Sequence, residues 1–330
     1  MNGLWKLDSL SANQKLFAKI YFLTLCVSLG FSYQSQKKRE LFAIVFHALL
    51  SCSVILAKKW IDFFVYWELM SLGSFLLIWT SPHKEAKAAG IRYFIYHVLG
   101  GGLLMIGCAW AMLRNTPYGQ ALPMHTSSLF ILLACLINVG AVPFHTWVKD
   151  AYPKTSIYAS PVLSVFVTKT SVFALIVLFP GFSPLIVIGA CMSIYGALYA
   201  LLENNLRKLL SYHIVSQVGF MVCAVGIGST LSLQGAVSHA VCHILYKSLL
   251  FMSVGSLIYG LGREKLSSLG SLRKLMPWTF ICYIIGGLSI SGVPFFNGFV
   301  SKSIIIEASK NGHTWLPWIL KAASIGTFLS

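Results

Sequence analysis

Charged residues are scarce in this chain, and acidic residues are the scarcest among them. Asp, Glu, Lys and Arg make up 10% of the 330 residues, and Asp and Glu together number only 9. A soluble globular protein carries about 25% charged residues, so this composition excludes a soluble domain of any size. Apolar runs of about 20 residues recur from end to end instead, which is the length that crosses a bilayer core.

Cofactor and metal motifs are absent as well. The 8 cysteines lie singly, with no C-x-x-C pair, which favours free thiols over disulfides or a metal cluster. No nucleotide, flavin, haem or iron–sulfur motif occurs, so we expect no cofactor. A zincin site is excluded because Ala240 stands where its glutamate would be, whereas a two-histidine haem or metal site at His239 and His243 stays an alternative.

The net charge of +16 comes from Lys and Arg spread through short loops, so the positive-inside rule explains it better than nucleic-acid binding does. These residues are more frequent in loops that follow odd-numbered spans. We therefore predict a multi-pass protein of the inner (plasma) membrane, with these loops in the cytoplasm and the N-terminus outside.

The apolar runs predict an all-α polytopic membrane protein with about eleven transmembrane helices. The predicted spans are 16–34, 41–57, 61–80, 91–113, 127–149, 157–179, 184–202, 209–228, 233–260, 276–309 and 315–330. The last span ends with the chain at Ser330 and is barely long enough to cross. We therefore expect the second half to be truncated at its C-terminus.

Two predicted spans contain a break: Pro143 interrupts the fifth and Pro294 the tenth, each shortly after a glycine. Broken backbone at membrane depth is tolerated where protein or a water-filled cavity covers it. The breaks lie five spans apart, so the two helices run in opposite directions, as in two inverted repeats. We expect an N-terminal segment with the first span at 1–40, a first half at 41–180 and a second half at 181–330.

Ionisable side chains inside the predicted spans are the most informative feature of the chain. Such a group costs about 2.5–3.5 kcal/mol at a helix centre, so it is rare and usually functional. The groups are Glu68, Lys169, His239, His243, Lys247, Lys302 and Lys321. The spacing i, i+4, i+8 places His239, His243 and Lys247 on one face of a helix, which favours a proton relay. The whole series indicates an ion or proton path.

Some of these groups also have a structural interpretation. Glu68 fits an interfacial residue near a helix end, and Lys169 fits an ion pair with a buried carboxylate. Snorkelling to the membrane surface explains Lys321 as well as function does, so we treat it as a bystander. Lys302 follows the second break, where it fits proton exchange with one face of the membrane.

Several motifs occur in one order over nearly the whole chain. They are Trp67-Glu68-Leu-Met-Ser, Pro143-Phe-His-Thr-Trp147, Asp150-Ala-Tyr-Pro153, Thr168-Lys169, Leu206-Arg-Lys-Leu-Leu-Ser-Tyr212, Ser216-Gln-Val-Gly-Phe220, His239-x3-His243-x3-Lys247-Ser-Leu-Leu-Phe251 and Gly298-Phe-Val-Ser-Lys302. In these motifs the chain resembles the antiporter-type subunits shared by Mrp multisubunit Na⁺/H⁺ antiporters and proton-pumping NADH:quinone oxidoreductases. Around Thr168-Lys169 and Met276-Pro-Trp-Thr279 it is most similar to the D-type member of the antiporter complexes.

The resemblance implies a subunit of a multisubunit monovalent cation/proton antiporter without a catalytic centre of its own. Its partners would be other membrane subunits, protons and monovalent cations. The resemblance also implies that Glu68 tunes a nearby lysine, that Lys169, His243 and Lys247 form a central axis, and that Lys302 lies at the exit to one side.

One position departs from the family pattern. Asn138 stands five residues before Pro143, where the family usually has a lysine. We therefore predict that Asn138 and His145 are polar residues that line the path, and that Asn138 does not carry protons. Two alternatives stay open for Glu68: the subunit pumps weakly, or Glu68 has another partner such as Lys169. Two alternatives stay open: a proton-pumping membrane-arm subunit of an NADH:quinone oxidoreductase or membrane hydrogenase, and a non-transporting assembly subunit.

Overall fold

The computed structural model describes residues 11–35, 38–310 and 314–330, apart from the side chain of Gln34. Residues 1–10 and 36–37 of the predicted N-terminal segment lie outside these ranges. The described residues form fourteen α-helices and no β-strand. The helices are α1 (Ala12–Phe31), α2 (Lys38–Leu56), α3 (Trp60–Trp79), α4 (Ala86–Leu113), α5 (Thr126–Val139), α6 (Thr146–Ala151), α7 (Ala159–Leu178), α8 (Pro184–Leu201), α9 (Leu206–Ile227), α10 (Thr230–Leu261), α11 (Leu272–Leu275), α12 (Pro277–Ser291), α13 (Asn297–Ser309) and α14 (Leu316–Leu329).

The helices reproduce the predicted membrane spans. In the described part of the chain, 8 helices are long and apolar enough to cross a membrane, and α5, α12 and α14 are shorter apolar helices. Each predicted span overlaps one of these eleven helices, which confirms an all-α polytopic membrane protein. The first helix begins at Ala12, earlier than predicted, because Ser11 and Gln14 form a capping box at its N-terminus.

Both predicted helix breaks are present. The first separates α5 from α6 and contains Pro143, and the second separates α12 from α13 and contains Pro294. Each preceding helix ends on a glycine in the left-handed conformation, with φ of 72° at Gly140 and 78° at Gly292. Glycine adopts this conformation without the steric cost that a Cβ would bring, so both helices stop before the proline.

The centre of the bundle is built on α7 and α9. In each of these helices, 94% of the residues in the most apolar stretch of 18 are buried. Helix α7 packs against α2, α3 and α5, and also against α9 and α10. Helix α10 in turn packs against α12 and α13. The element that carries Lys169 therefore lies between the helices of the two predicted halves, whose boundary at residue 180 stays a prediction.

Candidate functional site

Lys169 lies on α7 with no part of it exposed. Its Nζ atom donates hydrogen bonds to the carbonyl oxygen of Ser164 at 2.5 Å and to Oγ1 of Thr168 at 3.0 Å, both on the same helix. A pairing of Glu68 with Lys169, one of the two alternatives for Glu68, is not observed, since no ion pair in the described part of the chain includes either residue. The physical reason is that Glu68 faces α4 instead of α7.

The three predicted relay residues of α10 are all fully buried. His239 is hydrogen bonded through Nδ1 to Oγ of Ser301 at 2.9 Å, and Lys247 Nζ donates to the carbonyl oxygen of Leu210 at 2.7 Å. Neither ring nitrogen of His243 has a hydrogen-bond partner among the described residues. His243, between the other two along the helix, is therefore free to accept a proton or a water molecule.

Lys302 lies on α13 just beyond the second break and is almost fully buried. Its Nζ atom donates to the carbonyl oxygen of Ile290 at 2.6 Å, in the last turn of α12. The last four carbonyls of a helix lack an internal partner, and the negative end of the helix dipole favours a cation. The break therefore creates the acceptor for this lysine.

Three helices each carry a buried lysine in this region. Lys169 lies on α7, Lys247 on α10 and Lys302 on α13, and α10 packs against both α7 and α13. Helix α10 also carries His239 and His243, whose ring centroids are 6.4 Å apart. We call these five residues the central cluster. Within the described residues no carboxylate forms an ion pair with any of them, because the four ion pairs present involve other residues.

A sixth basic residue of this region, His213 on α9, was not predicted from the sequence. It is buried, interacts electrostatically with Lys247 and Lys302, and is hydrogen bonded through Nε2 to Oγ of Ser330 at 2.9 Å. Its position inside the eighth predicted span was an available signal, since any ionisable group within a span is a candidate.

Glu68 lies apart from the central cluster, on α3. Its Oε1 atom is buried and has no hydrogen-bond partner among the described residues. The carboxyl group packs against Gly101 of α4 so closely that a Cβ added at Gly101 would lie 2.1 Å from Oε1. The missing side chain at Gly101 therefore creates the space that the carboxyl group occupies.

The predicted lining residues Asn138 and His145 lie near the first break and are both buried. Oδ1 of Asn138 lies 2.8 Å from Nε2 of His97, a residue of α4 that was not predicted from the sequence. The His145 ring packs edge-on against Tyr195, with ring centroids 4.3 Å apart. Lys321 is exposed and lies over the ring of Trp318.

A polar cavity of about 440 Å³ opens beside the first break and contains Asp150. Burial alone would raise the pKa of Asp150, but hydrogen bonds from Arg92 and Lys154 lower it below its ordinary value. Lys154 also pairs with the exposed Glu85 and lowers the pKa of that carboxyl group. Charged groups are therefore held in fixed positions around this cavity.

Metal ligands are not grouped in the structure. No cluster of three or more His, Cys, Asp or Glu side chains suited to a metal ion occurs in the described ranges. The rings of His239 and His243, the two candidates for a haem or metal site, have centroids 6.4 Å apart.

Comparison with known proteins identifies the family. The profile described as NADH:quinone oxidoreductase/Mrp antiporter, TM, matches residues 57–330. The chain belongs to this family. The predicted resemblance is thereby confirmed at the level of the family, for most of the chain.

Members of the NADH:quinone oxidoreductase/Mrp antiporter family from distant organisms match the chain. An uncharacterised protein of Methanocaldococcus jannaschii is 31% identical over 84% of this chain and 62% of its own length. NADH-ubiquinone oxidoreductase chain 5 of Dugong dugon is 30% identical over 84% of this chain and 48% of its own length. Hydrogenase-4 component B of Escherichia coli is 29% identical over 90% of this chain and 49% of its own length. The chain thus spans about half to two thirds of the length of these relatives.

Two solved complexes contain chains with the same fold. A chain of the Mrp complex from Dietzia sp. superposes with a TM-score of 0.91 at 24% identity, covering 97% of this chain and 65% of that one. A chain of the membrane-bound sulfane sulfur reductase, an archaeal respiratory membrane complex, superposes with a TM-score of 0.84 at 23% identity. This match covers 95% of the present chain and 70% of that one. The fold thus occurs in subunits of multisubunit membrane complexes.

Proposed function

We propose that this chain is a proton-translocating subunit of a Mrp-type monovalent cation (Na⁺)/proton antiporter in the inner (plasma) membrane, equivalent to the D-type member of that complex. Its N-terminus would lie outside and the loops after odd-numbered spans in the cytoplasm. The observation that carries the proposal is the central cluster, in which the packed helices α7, α10 and α13 hold buried lysines and histidines that no ion pair in the described part of the chain includes.

The chemistry of the central cluster suits proton transfer. Neutral and protonated lysine differ by one proton on Nζ, and either form can donate to the carbonyl acceptors of Ser164, Leu210 and Ile290. Like charges repel strongly in a low-dielectric interior, so a proton that arrives at one group favours release from its neighbour. Protons would pass from Lys169 to His243 and Lys247, with His239 beside them, and leave through Lys302.

Glu68 would act in the first half of the path. Its carboxyl group faces Gly101 of α4, and its buried Oε1 atom lacks a hydrogen-bond partner among the described residues. An acid in such surroundings can hold its proton and pass it on, so Glu68 would feed the path at the α3–α4 interface. Asn138 and His145 would line the path near the break at Pro143.

The family admits a second function. Chain 5 of NADH-ubiquinone oxidoreductase and hydrogenase-4 component B match this chain at 30% and 29% identity, while the antiporter complex matches it in fold. The same buried path would then be driven by electron transfer in a partner subunit. A third possibility, an assembly subunit without transport, rests on Asn138 in place of the family lysine.

Ion exchange by the assembled complex tests the proposal. In everted membrane vesicles, addition of Na⁺ should dissipate the proton gradient, which a pH-sensitive dye reports. Lys169→Ala and Lys247→Ala should abolish this response while the complex still co-purifies with its other subunits. Lys321→Ala is the matched control, because Lys321 is exposed, and it should exchange like wild type.

Two results would overturn the proposal. Wild-type exchange by both Lys169→Ala and Lys247→Ala would exclude the central cluster from transport. Proton movement by the wild-type complex that requires an electron donor, with no response to Na⁺, would favour the redox-driven alternative.

A further inference from the structure

His97 occupies a position in the first half of the chain where no proton carrier was expected. It lies in α4 and is 3% exposed. Its Nδ1 atom lies 3.0 Å from the carbonyl oxygen of Tyr93, and its Nε2 atom lies 2.8 Å from Oδ1 of Asn138. The residue that stands in place of the family lysine is therefore hydrogen bonded to a histidine from the neighbouring helix.

These two partners leave one nitrogen of His97 able to titrate. A carbonyl oxygen only accepts, so the Tyr93 contact keeps a proton on Nδ1 in both charge states of the ring. The Asn138 amide offers an oxygen on one side and an NH₂ group on the other. Its oxygen accepts from a protonated Nε2, and after a half-turn of the amide its NH₂ group donates to a neutral Nε2.

A lysine at position 138 would not serve both states. An ammonium group donates but does not accept, and its charge would oppose a proton on the ring. The Nδ2 atom of Asn138 has no hydrogen-bond partner among the described residues, so no other contact holds the amide in one orientation. Asparagine in place of the family lysine at position 138 thus removes one titratable group, and it allows the neighbouring His97 to titrate instead.

The groups that face His97 hold the ring in place. Tyr93 stacks on it at 3.8 Å between centroids, and Trp147 of α6 meets it edge-on at 4.8 Å. From α3 the nearest charged group is Glu68, whose carboxyl contacts Gly101 on the next turn of α4, about 6 Å along the axis. Helix α5 contributes the uncharged Asn138. Arg92, near the start of α4, forms an ion pair with Asp150 of α6, and Lys149 of α6 lies over the ring of Tyr212.

We propose that His97 is the proton-carrying group of the first half of the path, and that Asn138 is its positioning residue. The inference rests on the proposed function and adds a site to it. A proton enters from the side of Glu68 and binds Nε2 of His97. The amide oxygen of Asn138 then accepts a hydrogen bond from the protonated Nε2. The proton leaves Nε2 as the amide turns so that its NH₂ group faces the ring. Each transfer moves one proton and breaks no other covalent bond.

Exchange measured in vesicles as a function of pH tests this site. His97→Gln keeps a hydrogen-bonding side chain but no titratable group, and its exchange should fall at least about tenfold. The double variant His97→Gln/Asn138→Lys restores a titratable group next to Glu68 and should recover exchange with a different pH profile. His125→Gln is the control, because His125 is an exposed histidine outside the site, and it should match wild type.

A structural role alone would give another pattern. If His97 and Asn138 only pack, the double variant should be no better than His97→Gln, and Asn138→Ala should change the amount of assembled complex but not the pH profile of exchange. Under the proposal Asn138→Ala shifts that profile. A double variant no better than His97→Gln, or an unchanged pH profile in Asn138→Ala, would each overturn the assignment.

The outcome for His97 is separable from the outcome for the proposed function. Should Lys247→Ala abolish exchange while His97→Gln exchanges like wild type at every pH, the central cluster stands and the assignment of His97 fails. Should Lys247→Ala leave exchange intact, the proposed function itself fails. As a direct readout, ¹⁵N resonances of His97 in the purified complex should move with pH at Nε2 and stay constant at Nδ1.

Discussion

The carboxyl group of Glu68 lies against the backbone of Gly101, and a Cβ added at Gly101 would stand 2.1 Å from Oε1, 2.5 Å from Cδ and 2.6 Å from Oε2 of that glutamate. All three distances are shorter than any van der Waals contact. The position of the acid is therefore set by the absence of a side chain on the facing helix. Gly102, the next residue, has nothing within 4 Å of the corresponding point.

These neighbouring glycines give a matched pair of variants. Gly101→Ala should displace the Glu68 carboxyl group and lower cation/proton exchange in vesicles, with little loss of stability because the displaced atoms are the far end of a flexible side chain. Gly102→Ala makes the same chemical change in the same helix turn and should behave like wild type in both measurements. Equal exchange by the two variants would show that the location of Glu68 does not matter for transport.

Lys302 should be required for exchange although it is the last group of the proposed path. Lys302→Ala removes the ammonium group that donates to the Ile290 carbonyl at the end of α12, so the exit of the path loses its titratable group. We expect the complex to assemble and exchange to fall to background in the vesicle assay. Lys310→Ala is the control, because Lys310 is half-exposed and pairs only with the exposed Glu307. Wild-type exchange by Lys302→Ala would favour an assembly subunit.

The fold could be predicted from the sequence because its signals are local. Apolar runs report the spans, and glycine followed by proline reports each break, so Pro143 and Pro294 were placed correctly. Buried charges such as Lys169 and Lys302 were found because an ionisable group stands out within an apolar run. Each of these signals lies within one helix.

The contacts between helices could not be predicted in this way. Residues 97 and 138 are 41 positions apart, and no local pattern indicates that two helices turn these faces to each other. The same limit left the partner of Glu68 open, since spacing along the chain does not fix which neighbour a helix face meets. His213 carried the same signal as the other buried groups and could have been included.

Asp150 should stabilise the connection after the first break. Arg92 donates two hydrogen bonds to it, at 2.6 and 3.0 Å, and Lys154 donates a third at 2.7 Å. Asp150→Asn should therefore lower the stability of the purified complex by about 1–2 kcal/mol in thermal unfolding. Glu307→Gln breaks the exposed pair with Lys310 and should have no measurable effect, since exposed pairs contribute little.

The same carboxylate predicts a pH dependence of stability. Because the folded structure lowers the pKa of Asp150, its stabilisation is fully present above the ordinary aspartate pKa of about 3.9 and is lost as the pH falls through the lowered folded value. The unfolding temperature of Asp150→Asn should lack this acid-dependent component. If the unfolding temperature falls equally at low pH in the wild type and in Asp150→Asn, groups other than Asp150 cause the loss of stability in acid.

Arg207 should be irreplaceable by lysine for a geometric reason. Its Nη2 atom is buried beside the segment that joins α6 to α7, where it reaches the carbonyl oxygens of Thr155 at 2.5 Å, Ser156 at 3.2 Å and Tyr152 at 3.3 Å. These oxygens belong to the connection that leads into α7, so the guanidinium group fixes the start of the helix that carries Lys169. One terminal nitrogen of the guanidinium makes all three contacts, and the shorter side chain of lysine does not bring its ammonium group to the same point.

We therefore expect Arg207→Lys to lower the stability of the purified complex by about 1.5–3 kcal/mol, the range for hydrogen bonds to a charged group. Arg263→Lys is the matched control, because Arg263 is exposed and donates to the carbonyl oxygen of Ser268. Thermal unfolding measures both variants. Because α7 would remain hydrophobic and inserted, Arg207→Lys should also reduce exchange more than its stability loss alone explains, through displacement of Lys169. Unfolding temperatures that agree for the two variants would show that the carbonyl groups around residue 155 are held without the guanidinium.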